Sequence, residues 1–120
     1  MFNIIPMTEK YIDDVAHIEE SCFHVPWTKN DFEKEIKENK MAIYYVAVDE
    51  NGNAVGYAGM WHVVTEGHIT NVAVLEQYRG NGIGDMLMEA LEKKALELEM
   101  IGITLEVRIS NYKAQKLYTK

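Results

Sequence analysis

The segment Gln77-Tyr78-Arg79-Gly80-Asn81-Gly82-Ile83-Gly84 constrains this chain more than any other, because it must turn an apolar strand directly into an amphipathic helix. Upstream, residues 68–75 are rich enough in β-branched and apolar side chains for a buried strand. Downstream, residues 83–98 place Ile83, Leu87, Ala90, Leu91 and Leu98 on one helical face. Glycines at 80, 82 and 84 let the backbone adopt φ values closed to other residues and come close to a ligand. A helix start leaves several N–H groups unpaired and carries a partial positive charge, so it favours a phosphate or pyrophosphate. The bland alternative is a tight turn with no ligand. Two other phosphate motifs fail on spacing. A P-loop ends in Gly-Lys-Ser/Thr, and Gly84 is followed by Asp85 and Met86. A dinucleotide fingerprint starting at Gly80 needs glycine at position 85, which is Asp85.

The remaining elements fall into place around this turn. Residues 2–6 read as a short strand. Thr8 is placed to cap a helix over 9–21, with Ile12, Val15, Ala16 and Ile18 on its apolar face. Thr28 with Asp31 three residues later forms a capping box that opens a second helix, Phe32 and Ile36 turned inward. Residues 41–48 and 54–63 read as strands joined by the turn Asp49-Glu50-Asn51-Gly52-Asn53, hence a hairpin. Residues 103–108 alternate as a strand, and Asn111 caps a last helix with Ala114, Leu117 and Tyr118. The order β, α, α, β, β, β, α, β, α contains one hairpin and one long helical crossover between strands 68–75 and 103–108. Pairing across the crossover is therefore parallel and right-handed. The fold class is α/β, a mixed, mostly antiparallel sheet with helices on both faces, in a single domain spanning residues 1–120.

Composition narrows the function classes. A net charge of −7 argues against a nucleic-acid footprint, which needs Lys and Arg patches, and suits an amine-bearing or cationic partner. The one cysteine, Cys22, excludes an internal disulfide and a cysteine-ligated zinc site, and reads as core packing; no metal site is expected. Residues 1–10 carry no basic stretch followed by an apolar one, and no run reaches the ~18 apolar residues of a membrane span. A cytoplasmic location with no membrane partner is the expectation. His17, His24, His62 and His68 have neither ligand nor triad spacing. Ser21 and Ser110 stand in no nucleophile elbow.

The turn resembles the Q/R-x-x-G-x-G/A signature of the GNAT superfamily of N-acetyltransferases, matched by Gln77, Gly80 and Gly82. The likeness runs along nearly the whole chain. The stretches Ile69-Thr70-Asn71-Val72-Ala73-Val74, Leu105-Glu106-Val107-Arg108 with Ser110-Asn111 and Leu117-Tyr118, and Pro26-Trp27-Thr28 resemble the RimI-type branch, which acetylates the N-terminal alanine of a small-subunit ribosomal protein. The resemblance implies acetyl-CoA as donor. It implies cofactor contacts from Val72, Ala73 and Val74, which pair with pantetheine, and from Arg79, Gly80, Asn81, Gly82, Ile83, Gly84 and Asp85 around the pyrophosphate. Asn111 adds a further contact. The loop with Pro26-Trp27-Thr28 helps to form the acceptor site, and the acceptor is a protein N-terminus, as on a ribosomal protein.

The same likeness assigns the chemistry. Acetyl transfer needs a polarised thioester, a neutral amine, a route for the amine proton and a proton for the departing thiolate. A backbone amide near Val74 serves the first, as an oxyanion-hole donor does. Glu106 matches the family's general base and Tyr118 its general acid at the sulfur. Transfer is direct, without an acetyl-enzyme. Family members continue past the last helix into two more strands, whereas this sequence stops at Thr119-Lys120. The expectation is a C-terminally incomplete domain whose uncovered strand 103–108 invites self-association. Two alternatives stay open: acetylation of a small-molecule amine on the same fold, and a non-enzymatic acyl-CoA-binding module.

Overall fold

The structure, a computed structural model, describes residues 1–109. Five strands form one sheet in sequential order: β1 (Asn3–Pro6), β2 (Ala42–Val48), β3 (Ala54–Val63), β4 (Glu66–Val74) and β5 (Gly102–Ile109). The pairings from β1 to β4 are antiparallel, and β4 pairs with β5 in parallel. The hairpin between β2 and β3 is closed by Asp49. Its carboxylate accepts the N–H of Asn51 and Asn53 at 2.9 and 3.0 Å, while Gly52 takes the left-handed φ of 82° that the turn demands.

Helices cover both faces. Helix α3 (Ile83–Glu97) lies on one, where Gly56 lets it approach: a Cβ there would sit 3.3 Å from Ile83 Cγ2. Its buried stripe is Ile83, Leu87, Leu91 and Ala95. Leu98, expected on this stripe, is exposed because the helix has ended and Leu98 is its C-cap; Ala95 takes the place. Helices α1 (Ile12–Cys22) and α2 (Lys29–Glu38) cover the opposite face, where Phe32 meets Tyr57 edge-on at 5.6 Å.

Three further expectations need correction. Thr8 makes no capping bond from its side chain; the chain enters α1 through a 3-10 turn, Glu9–Tyr11, so the α-helix starts at Ile12. Ile36 is only partly buried, while its neighbour Glu35 is buried, because α2 turns a polar residue toward the sheet. Cys22 is half-buried at the end of α1 rather than in the core. The Thr28–Asp31 capping box is present as expected, each side chain taking the other's backbone N–H. The last helix expected around Asn111, with Ala114, Leu117 and Tyr118, lies outside the described residues.

Gly59 on β3 faces α1 and α2 and is covered by the Tyr44 ring: a Cβ at Gly59 would lie 2.4 Å from a ring carbon. A ring held between β2 and the helices cannot swing away freely. Gly59→Ala should therefore destabilise the fold by about 1–3 kcal/mol, read from the urea midpoint.

Candidate active site

The glycine-rich segment turns as the sequence requires. Residues Glu76–Tyr78 form a short 3-10 turn after β4, and Gly80 and Gly82 adopt φ of 89° and 76°. Gly82 is the N-cap of α3, and the first amide to close onto it is Met86 N–H, bonded to Gly82 C=O at 3.1 Å. The amides of Ile83, Gly84 and Asp85 thus have no intrahelical acceptor. Among the described residues, nothing beyond the adjoining chain lies within 4 Å of a Cβ built on Gly80 or Gly82, so the turn leaves room there for a ligand. Ile83 is buried and anchors the helix; Gly80, Asn81, Gly82 and Asp85 are exposed, and Asn81 Nδ2 donates to Tyr78 C=O at 2.8 Å. Unpaired amides gathered at a helix start favour an anion such as a pyrophosphate.

Strand β4 supplies the second half. Leu75 N–H bonds Val55 C=O at 2.9 Å, and the alternation of an antiparallel ladder then points the polar groups of Ala73 and Asn71 at β3. Those of Val72 and Val74 point the other way, toward β5. The last described pair is Val72 with Ile109, one residue short of Ala73. Val74 C=O accepts from Arg79 Nε at 3.0 Å and from Cys22 Sγ at 3.5 Å; Arg79 Nη2 also reaches that sulfur at 3.5 Å. Arg79 therefore braces the turn against the strand. A cavity of about 340 Å³ adjoins it, lined by His17, Cys22, Leu75 and Arg79 among others.

Strand β5 slips by one residue against β4: Ile69 pairs with Leu105 but Asn71 pairs with Arg108. Glu106 and Val107 stand together opposite Thr70, a bulge between the Ile69–Leu105 and Asn71–Arg108 pairs. The backbone thus brings Glu106 close to the strand carrying Val72, Ala73 and Val74. Asn111 and Tyr118 lie outside the described residues.

Sequence reasoning passed over a third group, the buried polar cluster beneath α1 and α2. Glu19 is fully buried, and Glu35 and Asn71 nearly so. Tyr57 hydroxyl donates to Glu19 Oε1, and Trp27 N–H to Glu19 Oε2 at 2.8 Å. Glu35 accepts from Tyr44 hydroxyl at 2.9 Å, Trp61 Nε1 at 2.6 Å and Asn39 Nδ2 at 3.0 Å. The one signal that could have found it is the run of Tyr44, Tyr57 and Trp61 on adjacent strands, each of which needs a buried polar partner. Beside it, a cavity of about 490 Å³ opens between Trp27, Trp61, Asp31 and Glu35. Among the described residues, no group of three His, Cys, Asp or Glu could hold a metal ion, and no helix is long and apolar enough to cross a membrane.

With this geometry the comparisons with known proteins agree. The profile of the Acetyltransferase (GNAT) family matches residues 12–120. The chain belongs to the GNAT acetyltransferase family. Over 109 residues it is 40% identical to a Bacillus subtilis protein provisionally named a ribosomal protein bS18-alanine N-acetyltransferase, covering 91% of this chain and 72% of the relative. An N-alpha-acetyltransferase of Sulfurisphaera tokodaii is 36% identical over 102 residues, covering 74% of this chain and 60% of its own length. The ribosomal-protein-S18-alanine N-acetyltransferase of Escherichia coli superposes with a TM-score of 0.84 at 26% identity, covering 99% of this chain and 75% of that one. Acetyl transfer to an amine with acetyl-CoA as donor is the reaction of this family.

Two outcomes follow from this geometry. Gly82→Ala clashes with none of the described residues but forces a side chain into the left-handed region, so it should cost about 1–2 kcal/mol of stability. The bulkier Gly82→Val should in addition weaken acetyl-CoA binding in calorimetry, by crowding the amides of the turn. Separately, burial raises the hydroxyl pKa of both Tyr44 and Tyr57, and Glu35 and Glu19 beside them push in the same direction. The unfolded chain ionises them near pH 10 while the folded one does not. Their contribution is therefore whole below pH 10 and lost above it. Stability should fall by up to about 1.4 kcal/mol per pH unit per tyrosine, measured by urea unfolding from pH 9 upward.

Proposed function

We propose that this GNAT protein acetylates the α-amine of a protein N-terminus, with a ribosomal protein beginning in alanine as the preferred acceptor. The observation that carries this reading is the 40% identity over 91% of the chain to the Bacillus subtilis relative, whose name specifies that acceptor. Two local features support it. The residues Pro26-Trp27-Thr28 sit between α1 and α2, with Trp27 lining the 490 Å³ cavity and acidic Asp31 and Glu35 beside it. A net charge of −7 suits the cationic tail of a ribosomal protein.

In the proposed reaction the pyrophosphate of acetyl-CoA rests on the amides of Gly80 to Asp85 and its pantetheine runs along Val72 to Val74. Arg79 holds the turn in place, and Asn111 adds a contact from beyond β5. The Val74 amide, directed away from β3, polarises the thioester carbonyl. The neutral α-amine attacks the carbonyl carbon, forming the C–N bond, and its proton passes to Glu106, directly or through water. The C–S bond then breaks, and Tyr118 protonates the departing thiolate. An α-amine ionises near pH 8, so a carboxylate base needs to help it only modestly.

Turnover with acetyl-CoA and a panel of amines tests the acceptor. An Ala-initiated peptide should be acetylated in preference to spermidine or to a lysine side chain; preference for spermidine moves the assignment to small amines, and no turnover on any amine favours a binding module. Glu106→Gln and Tyr118→Phe should each lower kcat by ~10²–10⁴-fold, with acetyl-CoA affinity changed far less. Near-native turnover in folded Tyr118→Phe would show that another donor protonates the sulfur.

A further inference from the structure

We infer that Glu19 is a positioning residue for the acceptor, acting through the backbone of the loop that carries Trp27. The inference rests on the acceptor reading above and names a residue that reading does not use. A carboxylate with no exposed surface is costly to keep inside a domain this small, unless its oxygens are engaged. Glu19 spends one oxygen on a loop rather than on a helix or strand: Oε2 accepts the N–H of Trp27 at 2.8 Å, eight residues on and across the gap between α1 and α2. The Trp27 amide is half-buried, and the bond reaches it from a different element of the fold. What it adds is a fixed place for the backbone immediately before Thr28, the N-cap of α2.

The other oxygen ties that place to the sheet. Oε1 takes the Tyr57 hydroxyl from β3, and that hydroxyl in turn lies 3.5 Å from Asn71 Nδ2 on β4. Asn71 Oδ1 lies 3.5 Å from the Tyr44 hydroxyl, which donates to Glu35 at 2.9 Å. Asn71 is also the residue at which β5 resumes its pairing after the slip that holds Glu106. The Trp27 backbone is thus referenced, through Glu19, Tyr57 and Asn71 in turn, to the stretch of β4 next to the proposed reaction centre. The glycine turn on which acetyl-CoA would rest opens α3, on the opposite face of the sheet from Glu19 and Tyr57, so the two substrates should respond differently to the loss of these groups.

The test uses the full chain with Glu19→Gln, Glu19→Leu and Glu19→Asp. Glutamine keeps an oxygen for Trp27 N–H and turns its amide toward the Tyr57 oxygen, so it should preserve function. Leucine removes both acceptors. In Glu19→Leu the KM for an Ala-initiated peptide should rise about tenfold or more, with the KM for acetyl-CoA within about twofold. Glu19→Gln should restore the peptide KM to within about threefold. Hydrogen exchange at the Trp27 amide, read without any turnover, should be faster in Glu19→Leu and near native in Glu19→Gln. Should the leucine variant not fold, Glu19→Asp takes its place: one methylene shorter, it keeps the charge and withdraws the acceptor, and both readouts should move the same way. If the chain acetylates no α-amine, the acceptor reading fails while exchange still judges Glu19. A Trp27 amide as protected in the leucine or aspartate variant as in the native chain, or peptide and acetyl-CoA KM rising together, overturns the inference.

Discussion

The connection from Val74 to Ile83 governs the arrangement of the molecule. A strand buried on both faces must end, the chain must reverse toward the α3 face within nine residues, and a helix must begin with its first amides unpaired. Only left-handed backbone at Gly80 and Gly82 accomplishes this, and Ile83 then seats the helix against Gly56 on β3. Once α3 lies there, its far end delivers the chain to the edge of β4 in the parallel sense. The same geometry leaves a row of unpaired amides beside the C-terminal end of β4. The helix start, the crossover and the unpaired amides are consequences of a single turn.

The opposite face of the sheet is built on a different principle. Beneath α1 and α2 the core is aromatic and polar together: Phe32, Tyr57 and Tyr44 in ring contact, with Glu19, Glu35 and Asn71 satisfied by hydroxyl, indole and amide groups. Such a network adds little net stability over an apolar core of equal volume, but it is costly to break in part, since a carboxylate left without a partner keeps its full desolvation penalty. It therefore favours one arrangement of helices and strands over near alternatives. The two faces divide the labour: α3 and its turn present the amides proposed for the acetyl donor, while α1, α2 and the residues between them hold the wall proposed for the acceptor.

Strong local signals were legible in the sequence. The hairpin strand 54–63 follows from Asp49 and Gly52 in a turn that admits few conformations, and the α2 capping box from Thr28 and Asp31, because both are settled within a few residues. Helix ends were less legible: Thr8 looks like a cap, yet a 3-10 turn intervenes, and Leu98 keeps the apolar period after the helix has stopped. Periodicity records which side chains are apolar and not where hydrogen bonding ends.

By itself, then, the sequence determined the order of elements as far as β5, the parallel crossover, the glycine turn and the family to which that turn belongs, since each rests on neighbours along the chain or on a motif of fixed spacing. Tertiary structure alone decided the rest. That β5 slips at Glu106 depends on pairing between strands more than thirty residues apart. That Glu19 and Glu35 are interior depends on donors from β2, β3, the Trp27 loop and the end of α2, the two on β3 lying 26 and 38 residues away. A carboxylate carries no sign of burial in its own sequence neighbourhood; only the groups that fold around it can make the interior tolerable.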